Sequence, residues 1–150
     1  MEPTILPDEN GVWRRGEMSC GACKGTGEVE DMKMIRICKT FDFDAAHRLT
    51  KLPRSHKCHR MHGHTYRADL ELVGDLDDMG MVIDYAKIAE AWQSVHDAID
   101  HRILNDVPGL ECPTTEVLCR WIYDRLKFSL TALVAVTVHE SSSTWAEYRP

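Results

Sequence analysis

Five of the eight histidines in this chain fall within eighteen positions: His47, His56, His59, His62 and His64. Neutral imidazole suits zinc, and a zinc ion that does chemistry takes three protein ligands and keeps a fourth position for water or substrate. In extended backbone, residues two apart project to the same side with Cα atoms roughly 6.5–7 Å apart, so His62 and His64 can converge on one ion. Gly63 between them leaves the opposite side open. His47 is the best third ligand, because it ends the alternation Phe41, Phe43, Ala45 of a segment able to pair beside them. His56 and His59 lie in a polar loop, where solvated side chains are the plainer reading. Taken alone, the HGH triplet is read equally well as metal ligands and as exposed histidines.

Cys58, in CHRMHGH, precedes His62 by three intervening residues. Beside Lys57, Arg60 and a metal its thiolate would be favoured, which suits a group that acts on a metal-bound substrate. The competing reading is a fourth ligand that closes a structural site. Asp100 and His101 are an acid/base pair by type, yet neighbours on a helix do not face each other. They act together only if a helix ends there, as Asn105, Pro108 and Gly109 just beyond suggest; otherwise they are a solvated helix end. Further forward, CGACKGTG places Cys20 and Cys23 in a pattern resembling one C-x-x-C-x-G-x-G repeat of DnaJ-type chaperones. Two cysteines at this spacing can chelate zinc, but a tetrahedral site wants four ligands. Cys20 and Cys23 of a second subunit, Cys38, or no partner at all remain the options.

The elements that must position these groups are legible as periodicities. The glycine-rich first thirty-odd residues show no sustained period and read as an appendage, residues 1–31, ahead of a domain at 32–150. Ile35 and Ile37 alternate with Arg36 and Cys38, and Phe41 and Phe43 with Asp42 and Asp44, predicting a strand with a bulge midway. Tyr66, Ala68, Leu70 and Leu72 against Arg67, Asp69 and Glu71 predict a half-buried strand, and Met81–Ile83 a third after the polar turn 75–80. Tyr85, Ile88, Ala89, Trp92, Val95 and Ile99 mark one face of a helix capped by Asp84. Val117, Leu118, Trp121, Ile122 and Leu126 mark a second, started by Thr114 or Thr115. Val134, Val136 and Val138, then 145–149, predict a closing strand pair around a serine-rich turn. Strands, two helices, strands define an α+β domain.

The totals set limits. The chain has 150 residues, 43% hydrophobic and 28% charged, enough for one core. A net charge of −6 has the wrong sign for a protein relying on phosphate attraction, so nucleic acid is not expected as a direct partner. A local basic pocket for a phosphorylated small molecule is compatible with Arg48, Lys51, Arg54, Lys57 and Arg60. No apolar run approaches the roughly 20 residues of a membrane span, and the first residues lack the pattern of a secretory leader, so a cytoplasmic location is expected. Six cysteines, one close pair and four scattered, do not form a disulfide framework.

With FDAAHRL, CHRMHGHTYR, IDHRILNDVPGLECPTTEVLCRWI and VTVHE in this order, residues 34–148 resemble the pterin synthases of the tunnelling fold, most closely the 6-carboxy-tetrahydropterin type. The resemblance implies zinc on His47, His62 and His64, with Cys58, Asp100 and His101 as the acid/base group. It implies that Glu140 grips the pterin's guanidine-like edge by two parallel hydrogen bonds, with Thr115 and Glu116 as a further pterin contact. The implied fold is a four-stranded antiparallel sheet with two helices on one face, trimers of which close a barrel and stack into a homohexamer with active sites between subunits. The implied reaction converts 7,8-dihydroneopterin triphosphate to 6-carboxy-tetrahydropterin, releasing acetaldehyde and triphosphate, on the route to 7-deazaguanines such as queuosine. The pyruvoyl type of the same family, which eliminates triphosphate without cutting the carbon chain, is the alternative. The short spacing between Cys58 and His62 argues against it. A non-catalytic zinc-binding module is the alternative of another class.

Overall fold

The computed structural model describes residues 34–150 and, as backbone alone, two short strands ahead of them, β1 (Ile5–Pro7) and β2 (Trp13–Arg15), which pair antiparallel. Cys20 and Cys23 lie outside the described residues.

The framework is a pair of long strands, β3 (Ile35–His47) and β4 (His62–Gly74), joined antiparallel without interruption from Ile35↔Gly74 to His47↔His62. Because side chains alternate along a strand, this register puts Phe43, Tyr66, Ala68, Leu70 and Leu72 on one side, all buried. Asp42, Arg67, Asp69 and Glu71 occupy the other. That second face is polar and cross-linked, with Arg67 donating to Asp42 at 3.1 Å and Thr40 to Asp69 at 2.6 Å.

The antiparallel sheet continues through β6 (Leu133–His139) beside β4 and β7 (Trp145–Tyr148) beside β6, as the sequence predicted. A fifth strand, β5 (Arg102–Ile103), adds to the far edge of β3 in parallel, giving the order β5-β3-β4-β6-β7. Two residues are too few to show a period, so β5 was not among the predicted strands, and the four-stranded sheet that the resemblance implied has a fifth member. The expected bulge in β3 is absent; the register shift lies instead between β4 and β6. There Glu71 pairs with Ala135 but Leu72 with Leu133, leaving Val134 as the extra residue. Met81–Ile83 form no strand. The turn before them is closed by the Asp77 carboxylate, which accepts from the Met79 and Met81 amides, and Ile83 packs against the core from irregular backbone.

Helix α1 (Tyr85–Ile99) starts where Asp84 accepts from the Ala86 amide, and α2 (Thr115–Leu126) where Thr114 accepts from Val117. Both caps satisfy amides that the first turn leaves unpaired. Ile88, Trp92, Val95 and Ile99 of α1 and Leu118, Trp121, Ile122 and Leu126 of α2 are buried against the apolar sheet face, while Tyr85 and Val117 stay exposed. Trp92 stacks on Phe41 with ring centroids 4.7 Å apart, fastening α1 to the middle of β3, and Phe43 stacks on Tyr66 at 5.0 Å between β3 and β4. Buried Cys119 completes the α2 face and donates its S–H to the Ala146 carbonyl of β7. No described helix is long and apolar enough to cross a membrane.

Candidate metal centre

The alternation that buries Leu72, Leu70, Ala68 and Tyr66 runs on along β4 to His64 and His62. Across the ladder, Phe43, Ala45 and His47 oppose Tyr66, His64 and His62. The three histidines therefore share the helix-facing side of the sheet, at the end where β3 and β4 part. Their candidate ligand nitrogens lie within 4.8 Å of one another. With zinc–nitrogen bonds of about 2.0–2.1 Å, tetrahedral ligand nitrogens stand roughly 3.4 Å apart, so closing on one ion would draw the three rings together.

The hydrogen bonds fix which nitrogens face inward. His47 Nδ1 donates to the Pro113 carbonyl at 2.8 Å, and His62 Nδ1 to the Arg60 carbonyl at 2.8 Å, so each presents Nε2 as a lone pair. His47 is 1% exposed, and its Nε2 is buried without a hydrogen-bond partner among the described residues. Such an acceptor is unfavourable unless something occupies it, which a metal would. Burial holds the His47 and His64 pKa values below the ordinary 6.5, although the Glu140 carboxylate pulls the other way at both. Neutral imidazole is the form that ligates. The residues present fit a zinc ion.

A cavity of about 500 Å³ opens beside the cluster, lined by Lys57, Cys58, Arg60, Met61, His62, His64 and Glu140. Cys58 lies in a single 3-10 turn (Lys57–His59), held where its amide donates to His56 Nδ1 and its carbonyl accepts from the Leu49 amide at 2.8 Å. His56 and His59 thus have structural work: His59 Nδ1 donates to the Leu52 carbonyl at 2.9 Å. Glu140, one residue past β6, receives a 2.7 Å hydrogen bond from the Thr115 hydroxyl on one oxygen. The other oxygen stands 3.2 Å from His64 Nε2, too poorly aimed for a hydrogen bond. Tyr66 lies beneath, its buried hydroxyl pushed to a higher pKa by desolvation and by Glu140. Glu116, in the first turn of α2, does not line this cavity.

Asp100 and His101 also lie outside it, at the β5 edge of β3. Helix α1 does end at Asp100, and His101 adopts a φ of 53°, the one positive value among described residues other than glycine. This left-handed step turns the imidazole back, so that Nδ1 donates to Asp100 Oδ2 at 2.8 Å. The backbone of Asp44 clamps the pair, its amide donating to Asp100 Oδ1 at 3.0 Å and its carbonyl accepting from the His101 amide. The Asp44 amide, then the His101 bond, lower the Asp100 pKa; the same bond raises that of His101, whose ring is 77% exposed.

Sequence reasoning missed the groups that hold these residues in place. The Asn105 side chain pairs with both backbone groups of Arg48, at 2.9 Å each, and so pins the residue after His47. The carbonyls of Pro113 and Arg60 orient the ligand rings. Backbone acceptors carry no signal in residue type; the only sign of Asn105 was its place in a turn.

The sequence matches the family described as 6-pyruvoyl tetrahydropterin synthase over residues 36–150. The 6-carboxy-5,6,7,8-tetrahydropterin synthase of Synechocystis sp. is 35% identical over 119 residues, 75% of this chain and 91% of that protein. The enzyme of the same name from Bacillus subtilis is 33% identical over 129 residues, 77% of this chain and 86% of its own. Among solved structures, the 6-pyruvoyl tetrahydropterin synthase of Caenorhabditis elegans superposes with a TM-score of 0.72 at 29% identity, covering 79% of this chain and 97% of that one. The chain belongs to the 6-pyruvoyl tetrahydropterin synthase family.

Proposed function

We propose that this protein is a zinc-dependent 6-carboxy-5,6,7,8-tetrahydropterin synthase, converting 7,8-dihydroneopterin triphosphate and one water to the 6-carboxy product, acetaldehyde and triphosphate. The observation that carries the reading is the convergence of His47, His62 and His64 beside a cavity that also holds Cys58 and Glu140. Bound on the three histidines, zinc would lower the pKa of a substrate hydroxyl as it does that of water.

The chain's own residues supply the rest. Glu140, steadied by Thr115, accepts the paired N–H groups of the pterin edge, which leaves the side chain of the substrate toward the histidines. Lys57 and Arg60 line the cavity beside Cys58 and favour an anionic substrate. Cys58 as base takes a proton from the substrate side chain, and His101, oriented by Asp100, returns or removes the second proton. Because Asp100 and His101 of the same chain are not in the cavity, the pair that serves it belongs to a neighbouring copy. Among the described residues β5 and β7 are the edge strands of the sheet, where such a copy would join to close the barrel of a homohexamer. The protein would work in the cytoplasm, supplying a precursor of 7-deazaguanine bases such as queuosine.

The resemblance to the C. elegans structure favours one second reading, elimination of triphosphate to a 6-pyruvoyl product. Mass spectrometry of the pterin formed from 7,8-dihydroneopterin triphosphate separates the two. A 6-carboxy product is expected; a 6-pyruvoyl product overturns the assignment and leaves the metal site standing.

A further inference from the structure

The carboxylate of Asp100 has a second histidine on it. His96, one turn back on α1, brings Nε2 to 3.6 Å from Oδ2, the same oxygen that accepts from His101 Nδ1 at 2.8 Å. The remaining oxygen, Oδ1, is engaged by the Asp44 amide, so the carboxylate cannot turn to give each imidazole its own oxygen. We propose that His96 is a positioning residue that shares Asp100 Oδ2 with His101, so that a single carboxylate serves two imidazoles.

The surroundings favour this arrangement. Residues four apart on a helix face the same side, and Asp100, at the end of α1, still has its amide bonded to the His96 carbonyl at 2.8 Å. A cation at the last turn of a helix is also favoured by the carbonyls exposed there. The charged groups that act on the array are few. Asp44 reaches His101 from β3, Asp97 stands 3.9 Å from His96 Nδ1 and is itself bonded to Gln93, and Asp100 lies between the two histidines. Both rings draw on the charge of one oxygen, and His101 is the closer, so the share of Oδ2 that His96 takes is lost to His101.

The catalytic weight of the array rests on the reaction proposed above, whereas the sharing does not, and one titration separates them. Zinc-loaded full-length protein labelled with nitrogen-15 histidine is titrated by NMR as wild type, His96→Leu and His96→Gln, and turnover is measured over the same pH range. His96 is 36% exposed, so both variants retain the fold. The wild-type His101 curve is expected to be broader than a single-proton titration. In His96→Leu it should sharpen and move to higher pH; in His96→Gln, which restores an N–H without a charge, it should sharpen and move less. A His101 curve unchanged in both variants overturns the proposal. A move to lower pH in His96→Leu overturns it too, since His96 would then merely hold Asp100 in place. If the curve moves as expected while the pH dependence of turnover does not, the sharing stands and the role of His101 in the reaction falls.

Discussion

His47 and His62 are register partners at the last rung of the β3–β4 ladder, with ring centroids 4.5 Å apart. The spacing of the candidate ligands is therefore strand geometry: whatever spreads the two strands separates the histidines. Gly63 sits at the sensitive point, since a Cβ there would stand 3.2 Å from the Ala45 carbonyl oxygen on β3. Gly63→Ala should push the strands apart by a few tenths of an ångström and weaken zinc binding roughly 10-fold, as loss of a supporting contact does. Competition with a chelator measures this, and unchanged affinity would show the ladder to be more compliant than its backbone contacts suggest.

Acid should remove the metal late. Protons compete with zinc for each imidazole, and burial keeps His47 and His64 below the ordinary 6.5, so they stay neutral at a pH where a free histidine has begun to charge. The sign follows: as pH falls through 6.5, protons compete less well with zinc at His47 and His64 than they would at a free histidine. Zinc release followed by an indicator dye should have its midpoint below pH 6.5; a midpoint well above it contradicts the burial argument.

Thr115→Val removes the hydroxyl that holds one oxygen of Glu140 and frees the carboxylate to swing toward His64. A hydrogen bond to a charged group is worth about 1.5 kcal/mol or more, so KM for the pterin should rise roughly 10-fold with zinc content unchanged. Loss of zinc instead would make Thr115–Glu140 part of the metal site.

Asn105→Ala cuts both bonds to Arg48 and unpins the chain just after His47. Destabilisation of about 1–3 kcal/mol is expected from the backbone groups left unpaired, together with weaker zinc binding. Urea unfolding of the metal-free protein and chelator competition on the loaded protein test the two effects separately.

The sheet and helices were legible where a period ran long enough to count. Tyr66 to Leu72 on β4 and Ile88 to Ile99 on α1 are buried as their spacing required. The two-residue β5 and the bulge at Val134 had no period to betray them, and Met81–Ile83, apolar but irregular, mimicked a strand. Of the site, the convergence of His47, His62 and His64 could be read from alternation because β3 and β4 pair without a break. Glu140 and Thr115 came only through family resemblance, since their meeting depends on how α2 and β6 pack; Asp100 and His101, from the same resemblance, do not line the cavity of their own chain. The left-handed backbone of His101 is set by its clamp on Asp44, a contact 57 residues apart in sequence that no local pattern encodes.

The most direct test incubates zinc-loaded protein with 7,8-dihydroneopterin triphosphate, beside a Cys58→Ala variant of equal zinc content, and measures acetaldehyde together with the pterin product. The proposed chemistry predicts one acetaldehyde for each 6-carboxy-tetrahydropterin formed, with turnover in the variant reduced by about 10²-fold or more and zinc retained. Acetaldehyde formation undiminished in Cys58→Ala, or a pterin product with no acetaldehyde, would contradict it.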